Sequence, residues 1–180
     1  NSAIISAIIK DNKSVDSLNE GEQAIVVIDK SSFYGESGGQ SGDHGTLSKN
    51  GAQFKVTDTQ KQASNAFEHH GIQAKGALQV GDAVEASIDQ DRRKKIMNNH
   101  SATHLLHEAL RQVLGDQVNQ KGSLVESEKL RFDFSHDEVV SRTNLDKVEA
   151  IVNEQILGNT QVITEETDIK TAKKKGAMAL

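Results

Sequence analysis

The chain has 180 residues, a net charge of -5, 35% hydrophobic residues and no cysteine, which excludes a disulfide-stapled scaffold and leaves room for one domain or two small ones with real cores. No apolar run approaches the length that spans a bilayer, and Asn1 to Lys10 shows no charged leader or cleavage pattern, so neither a membrane span nor a secretory signal is expected and a cytoplasmic setting is. Proline is absent as well, so turns must rest on Gly, Asn, Asp and Ser. The first half reads as short strands between such turns: Ala3 to Ile9, Gln23 to Asp29, Gly45 to Lys49, Gln53 to Asp58 and Ala83 to Ile88. Asn50-Gly51 is a hairpin signal, since both residues tolerate positive φ, and Gly81-Asp82 marks another turn. This punctuation predicts a small β-barrel over residues 1–90. Its connecting loop, with Gly35, Gly38, Gly39, Gly42 and Gly45, is expected to be flexible and open to close approach by a ligand; it has neither a phosphate-loop ending nor a dinucleotide fingerprint.

From Asp91 to Leu114 there is no internal Gly or Pro, and Gly115 follows as a natural stop, which predicts one helix of about six turns. Ala102, Leu105, Leu106, Ala109, Leu110 and Val113 share its apolar face, while His100, Thr103, His104, His107 and Arg111 form an adjoining polar stripe. His100 and His104 stand one turn apart, so both can reach one metal ion. His107 is about 10 Å along the helix from His100, too far to share it. Zinc wants a third ligand at least; without cysteine the choice lies among His44, His69, His70, His136 and a carboxylate. Ser101 stands where a metalloprotease carries its glutamate base, so that class is excluded.

Beyond the helix, Ser123 to Val125 and Leu130 to Phe134 predict a hairpin around Glu126-Ser127-Glu128, with Arg131 and Asp133 on one face and Phe132 and Phe134 on the other. Leu145 to Leu157 is an amphipathic helix, started by Thr143 or Asn144 and ended by Gly158. Gln161 to Thr164 is expected as a strand and Asp168 to Lys175 as a short helix. The fold class is therefore α+β: a small N-terminal β-barrel over 1–90, then a two-layer α/β sandwich over 91–180 with a mainly antiparallel sheet and the long histidine-bearing helix.

Several ordered blocks carry a resemblance. They are Phe33-Tyr34-Gly35-Glu36-Ser37-Gly38-Gly39-Gln40, Asn99-His100-Ser101-Ala102-Thr103-His104, Gln120-Lys121-Gly122-Ser123, Leu130-Arg131-Phe132-Asp133-Phe134 and the closing Lys175-Gly176-Ala177-Met178-Ala179-Leu180. In order and spacing they resemble the editing domain of the alanyl-tRNA synthetase family, and more distantly its stand-alone trans-editing relatives. The resemblance implies hydrolysis of the ester that joins serine or glycine to tRNA(Ala), with the acceptor end of that tRNA as partner. By position it implies that His100 and His104 are zinc ligands and that Thr103, Gln120 and Ser123 line the pocket that tells serine from alanine. Gln40 and Arg131 follow as substrate-binding residues. A site built to hydrogen-bond the serine hydroxyl leaves its polar groups unpaired when alanine enters, so these residue types suit the task.

Two departures shape the expectation. The family's Cys-x-x-x-His segment, which completes its metal site, does not occur in the 180 residues, so zinc binding and turnover by this stretch alone are expected to be weak. Gly35 stands where the family often has proline or alanine, and is expected to loosen the loop. The acidic balance confines any RNA contact to local patches, of which Arg92-Arg93-Lys94-Lys95 and Lys173-Lys174-Lys175 are the dense basic runs. One alternative is a tRNA-binding or structural module without catalysis. Another is an unrelated metalloprotein that uses His69-His70 or His136. An incomplete sheet edge invites pairing, so a monomer and a dimer both stay open.

Overall fold

The computed structural model describes residues 1–63 and 66–177. In chain order the elements are β1 (Ser2–Lys10), β2 (Lys13–Val15), β3 (Ser17–Leu18), β4 (Gln23–Ile28), β5 (Gly45–Lys49), β6 (Ala52–Lys61), β7 (Phe67–Lys75), β8 (Leu78–Gln79), β9 (Ala83–Ile88), α1 (Gln90–Leu114), β10 (Gln120–Val125), β11 (Leu130–Phe134), α2 (Arg142–Gly158) and α3 (Ile169–Lys174). They divide into two compact units, Asn1–Ser101 with Ser123–Arg131, and Ala102–Gly122 with the chain from Phe132 onward. The class is α+β, a barrel followed along the chain by helices and a small sheet. Among the described residues no helix is long and apolar enough to cross a membrane.

In the first unit the strands run in the order β1, β4, β7, β6, β5, β9, and β9 pairs back on β1 to close a six-stranded antiparallel barrel. Closure removes the exposed edge that an open sheet would leave. Strand β2 extends β1 on the outside, and β3 pairs with β8 separately. Alternate residues point inward: Ala3, Ile5 and Ile8 from β1, Val26 and Ile28 from β4, Leu47, Phe54, Val56 and Val84 from the others, all buried. The hairpin between β5 and β6 turns at Asn50 and Gly51, whose φ values of 49° and 86° are those of a type I′ turn. Strand β7 has no clean apolar alternation, because two of its inward residues are the polar His69 and Gln73, both fully buried. His69 is satisfied inside by the Val26 carbonyl, 2.9 Å from Nδ1, and Gln73 Nε2 donates to the Lys75 carbonyl at 2.9 Å.

The second unit has its own core. Ala109, Leu110, Val118 and Val148 are buried, with Leu106, Val113, Phe132, Phe134, Ile151 and Val152 packed against them. The apolar face predicted for α1 packs through Leu106, Ala109, Leu110 and Val113, and α2 packs through Val148, Ile151 and Val152, while Leu145 and Ile156 on the same helix are 43% and 52% exposed. Helix α1 ends as predicted, at Leu114, with Gly115 at φ 113° donating its N–H to the Arg111 carbonyl at 2.8 Å.

The ends of α2 differ from expectation. Ser141, not Thr143 or Asn144, caps the start by accepting from the Asn144 N–H, and the helix runs through Gly158 to a left-handed Asn159. Ser141 wins because its extended backbone aims the hydroxyl at the first turn, while Thr143 and Asn144 already lie within it. The strand expected over Gln161 to Thr164 is not formed: Val162 and Ile163 are 83% and 85% exposed, and no described strand pairs with them. β-branched residues favour a strand only when a neighbour supplies the ladder. Helix α3 is capped by Asp168, whose carboxylate accepts from the Lys170 and Thr171 N–H groups. Met178 to Leu180 of the closing block lie outside the described residues.

Candidate functional site

The glycine-rich loop is closed on itself by one acid. Asp43 is 1% exposed; its N–H donates to the Tyr34 carbonyl at 2.9 Å, and its carboxylate accepts from the Tyr34 N–H at 2.7 Å. Arg93, from the first turn of α1, forms an ion pair with the same carboxylate and donates to the Ser32 carbonyl at 3.0 Å. Arg92 donates to the Gly42 carbonyl at 2.9 Å. Both arginines of the basic run therefore tie the loop to the helix, rather than forming the solvated or RNA-facing patch that the run of cations suggests. Asp89 starts that helix by accepting from the Arg92 N–H at 2.9 Å.

Held this way, the loop lies along β10. Gly39 and Ser41 bracket Val125: the Val125 N–H donates to the Gly39 carbonyl at 2.8 Å, and the Ser41 N–H to the Val125 carbonyl at 3.1 Å. Gly39, at φ 84°, passes so close to Ser123 that an ideal Cβ there would overlap Ser123 Oγ and stand 2.6 Å from its carbonyl oxygen. Between these anchors Gln40, buried, places Oε1 2.6 Å from His100 Nδ1. A carboxamide oxygen only accepts, so Nδ1 carries the hydrogen and, in the neutral ring, Nε2 the lone pair. The neighbouring Asn99 donates to the Glu126 carbonyl at 2.8 Å, fixing α1 to the β10–β11 turn. Three of the predicted site residues, Gln40, His100 and Ser123, thus gather in the first unit.

The glycines are not the open loop that composition suggests. At Gly35, Gly39, Gly42 and Gly45 the missing side chain admits the chain's own neighbours, whereas Gly38 faces open space. At Gly35 a Cβ would stand 2.9 Å from Lys61 Cβ and 3.2 Å from the Phe67 ring, so this glycine permits close packing instead of loosening the loop.

Thr103, 6% exposed, and the exposed His104 follow His100 on α1 in the second unit, as does Gln120, half-buried at the start of β10. Arg131 is exposed on β11 in the first unit. His107 is a core residue, its ring 5.0 Å from that of Phe132. His69 and His70, consecutive on a strand, face opposite sides of β7 and cannot converge on one ion. Zinc takes three or four protein ligands about 2 Å from the metal. No group of three or more His, Cys, Asp or Glu that could hold a metal ion is found among the described residues.

A cavity of about 570 Å³ opens beside the loop, lined among others by Ser31, Tyr34, Lys61, Phe67 and Met97, with Gln40 on its wall. Sequence reasoning missed Asp43, Arg92, Arg93 and Lys61 as parts of this region. Only the placement of Asp43 at the end of the glycine cluster hints at a role, as a turn former.

A barrel whose glycine-rich loop reaches a histidine on a following helix is the setting in which sequence comparison becomes informative. The family model for tRNA synthetases class II (A) matches residues 1–92, and the chain belongs to that family. Among individual proteins it is 56% identical over 180 residues to an alanine-tRNA ligase of Ruthia magnifica and 57% identical over 180 residues to that of Vesicomyosocius okutanii, covering 100% of this chain and 21% of each relative. It is 57% identical over 179 residues to the alanine-tRNA ligase of Pseudomonas fluorescens, covering 99% of the chain and 20% of that relative. The chain spans about a fifth of the length of the curated relatives it matches.

Proposed function

We propose that this chain is the editing module of an alanine-tRNA ligase, which hydrolyses the ester of serine or glycine mischarged on tRNA(Ala) and works in the cytoplasm. The observation that carries the reading is the Gln40 to His100 hydrogen bond, which joins two motifs sixty residues apart. A loop that served only to connect strands would not need a buried carboxamide aimed at a histidine. In this reading Gln40 fixes the tautomer and direction of His100, and Ser123, against which Gly39 packs, belongs to the same wall. Thr103 and Gln120 supply hydrogen-bond partners for the serine hydroxyl and lose them when alanine enters, the kind of contact that discriminates strongly. Arg131 offers a cation to the acceptor end. In this reading the residues act by positioning, since correct placement of the ester and of water can itself supply much of the rate.

The test is hydrolysis of seryl-tRNA(Ala) and alanyl-tRNA(Ala) by a ligase of the relatives' length that contains this chain. The reading expects the serine ester to be cleaved in preference, and Gln120→Ala to narrow that preference; equal cleavage of both esters by the native protein would overturn it.

A further inference from the structure

On the functional reading above an RNA 3′ end approaches the Gln40 loop, and we infer that the cavity beside that loop holds one nucleotide of the strand, its base against Phe67 and Met97 and its phosphate on Lys61. The cavity lies within the first unit and has a volume of about 570 Å³, in the range of ligand pockets and roomy enough for a nucleotide. Its apolar surfaces are the half-buried Phe67 and the Met97 side chain, which is 58% exposed on α1. A flat ring beside a pliant thioether suits the face of a base, and such stacking tolerates any base.

The polar side of the lining points to an anion. Lys61 is exposed and forms no ion pair among the described residues, whereas the Arg93 charge is cancelled by Asp43. Ser32 and Ser37 add hydroxyl groups around the same space, while the Ser31 hydroxyl donates to His69 Nε2. In a chain of net charge -5, an uncommitted cation over a cavity with an aromatic wall is a local recognition feature that does not follow from overall composition. Gly35 contributes by its size: a side chain there would press on Lys61 and Phe67 together.

The experiment titrates AMP, adenosine and inorganic phosphate separately into the chain, following the Met97 methyl signal and the Gly35 and Ser37 amides by NMR. AMP is expected to move these signals at lower concentration than either half alone. Lys61→Ala, an exposed change that leaves the fold intact, is expected to weaken AMP about fivefold, as for an exposed charge pair, and to leave adenosine unchanged. The inference is overturned if phosphate alone matches AMP, if Lys61→Ala leaves AMP binding unchanged, or if Met97 does not respond. The readout involves no hydrolysis. If AMP binds as described while the ligase cleaves both esters equally, the editing reading falls and the pocket stands; if AMP fails to bind while serine is selectively removed, the pocket falls alone.

Discussion

Gln40 Oε1 stands 2.6 Å from His100 Nδ1, so a loop of the barrel dictates which nitrogen of a helix histidine carries the proton. The neutral ring is expected as the Nδ1–H tautomer, and Gln40→Ala is expected to release it into a mixture of both forms. Nitrogen-15 NMR of the imidazole reads this directly. A native ring found as Nε2–H would contradict the arrangement.

Neighbouring glycines of the loop separate conformational from contact effects. Gly38, at φ 58°, has nothing within 4 Å of an added Cβ, whereas Gly39, at φ 84°, meets Ser123. Gly38→Ala is expected to cost about 1 kcal/mol from backbone conformation alone. Gly39→Ala should cost that and more, since the strand carbonyl of Ser123 must move, giving a total of about 3 kcal/mol. Urea unfolding of the two variants checks the order; equal losses would mean that the loop does not lie against β10.

The buried Asp43 carboxylate is met by Arg93 and by the Tyr34 N–H. Arg93→Met leaves that carboxylate without its cation, and breaking such a pair from one side costs about 3 kcal/mol. Arg93→Lys is expected to recover only part, because an ammonium cannot reproduce the guanidinium's simultaneous contacts to Asp43 and the Ser32 carbonyl. Thermal unfolding of the two variants measures both effects. A stability unchanged in Arg93→Met would show the clamp to be idle.

Burial, opposed by the Val26 carbonyl and helped by the neighbouring His70, holds the His69 imidazole below the ordinary histidine value of 6.5. Burial chiefly, and then Arg92, depress His44 in the same direction. For a group lowered on folding, the unfolded chain takes up the proton first. The stabilisation is whole above pH 6.5 and is lost as pH falls from there through the folded values. Urea midpoints are expected to fall between about pH 7.5 and pH 5, a window set by the ordinary histidine value, and His69→Gln should flatten part of that slope. A slope unaltered by His69→Gln would assign the effect to other groups.

What was legible in the chain follows from how local its causes are. Asn50-Gly51 and Gly115 act within a few residues, through positive φ, and both read correctly from sequence. The helix faces were legible because 3.6-residue periodicity survives in Ala109, Leu110, Val148 and Ile151. Strand β7 was hidden because two of its inward positions are the polar His69 and Gln73, the first satisfied by Val26 far back along the chain and the second by Lys75 two residues on, and Val162 and Ile163 misled because no described strand pairs with them. The α2 start was blurred by Ser141, Thr143 and Asn144 standing almost side by side. At the site, the histidine spacing and the Gln40 loop could be read as separate motifs. Their meeting, and the commitment of Arg92 and Arg93 to the loop, are tertiary facts that a run of four cations does not announce.

The central claim is that Gln40 and His100 act as one unit in ester hydrolysis, and a double-mutant cycle on the seryl-tRNA(Ala) deacylation rate of a ligase containing this chain tests it most directly. Gln40→Ala and His100→Ala are each expected to slow hydrolysis about tenfold or more, the scale of lost positioning, and the double variant is expected to be no slower than His100→Ala alone. Multiplying losses, or a Gln40→Ala rate equal to the native one, would contradict the account.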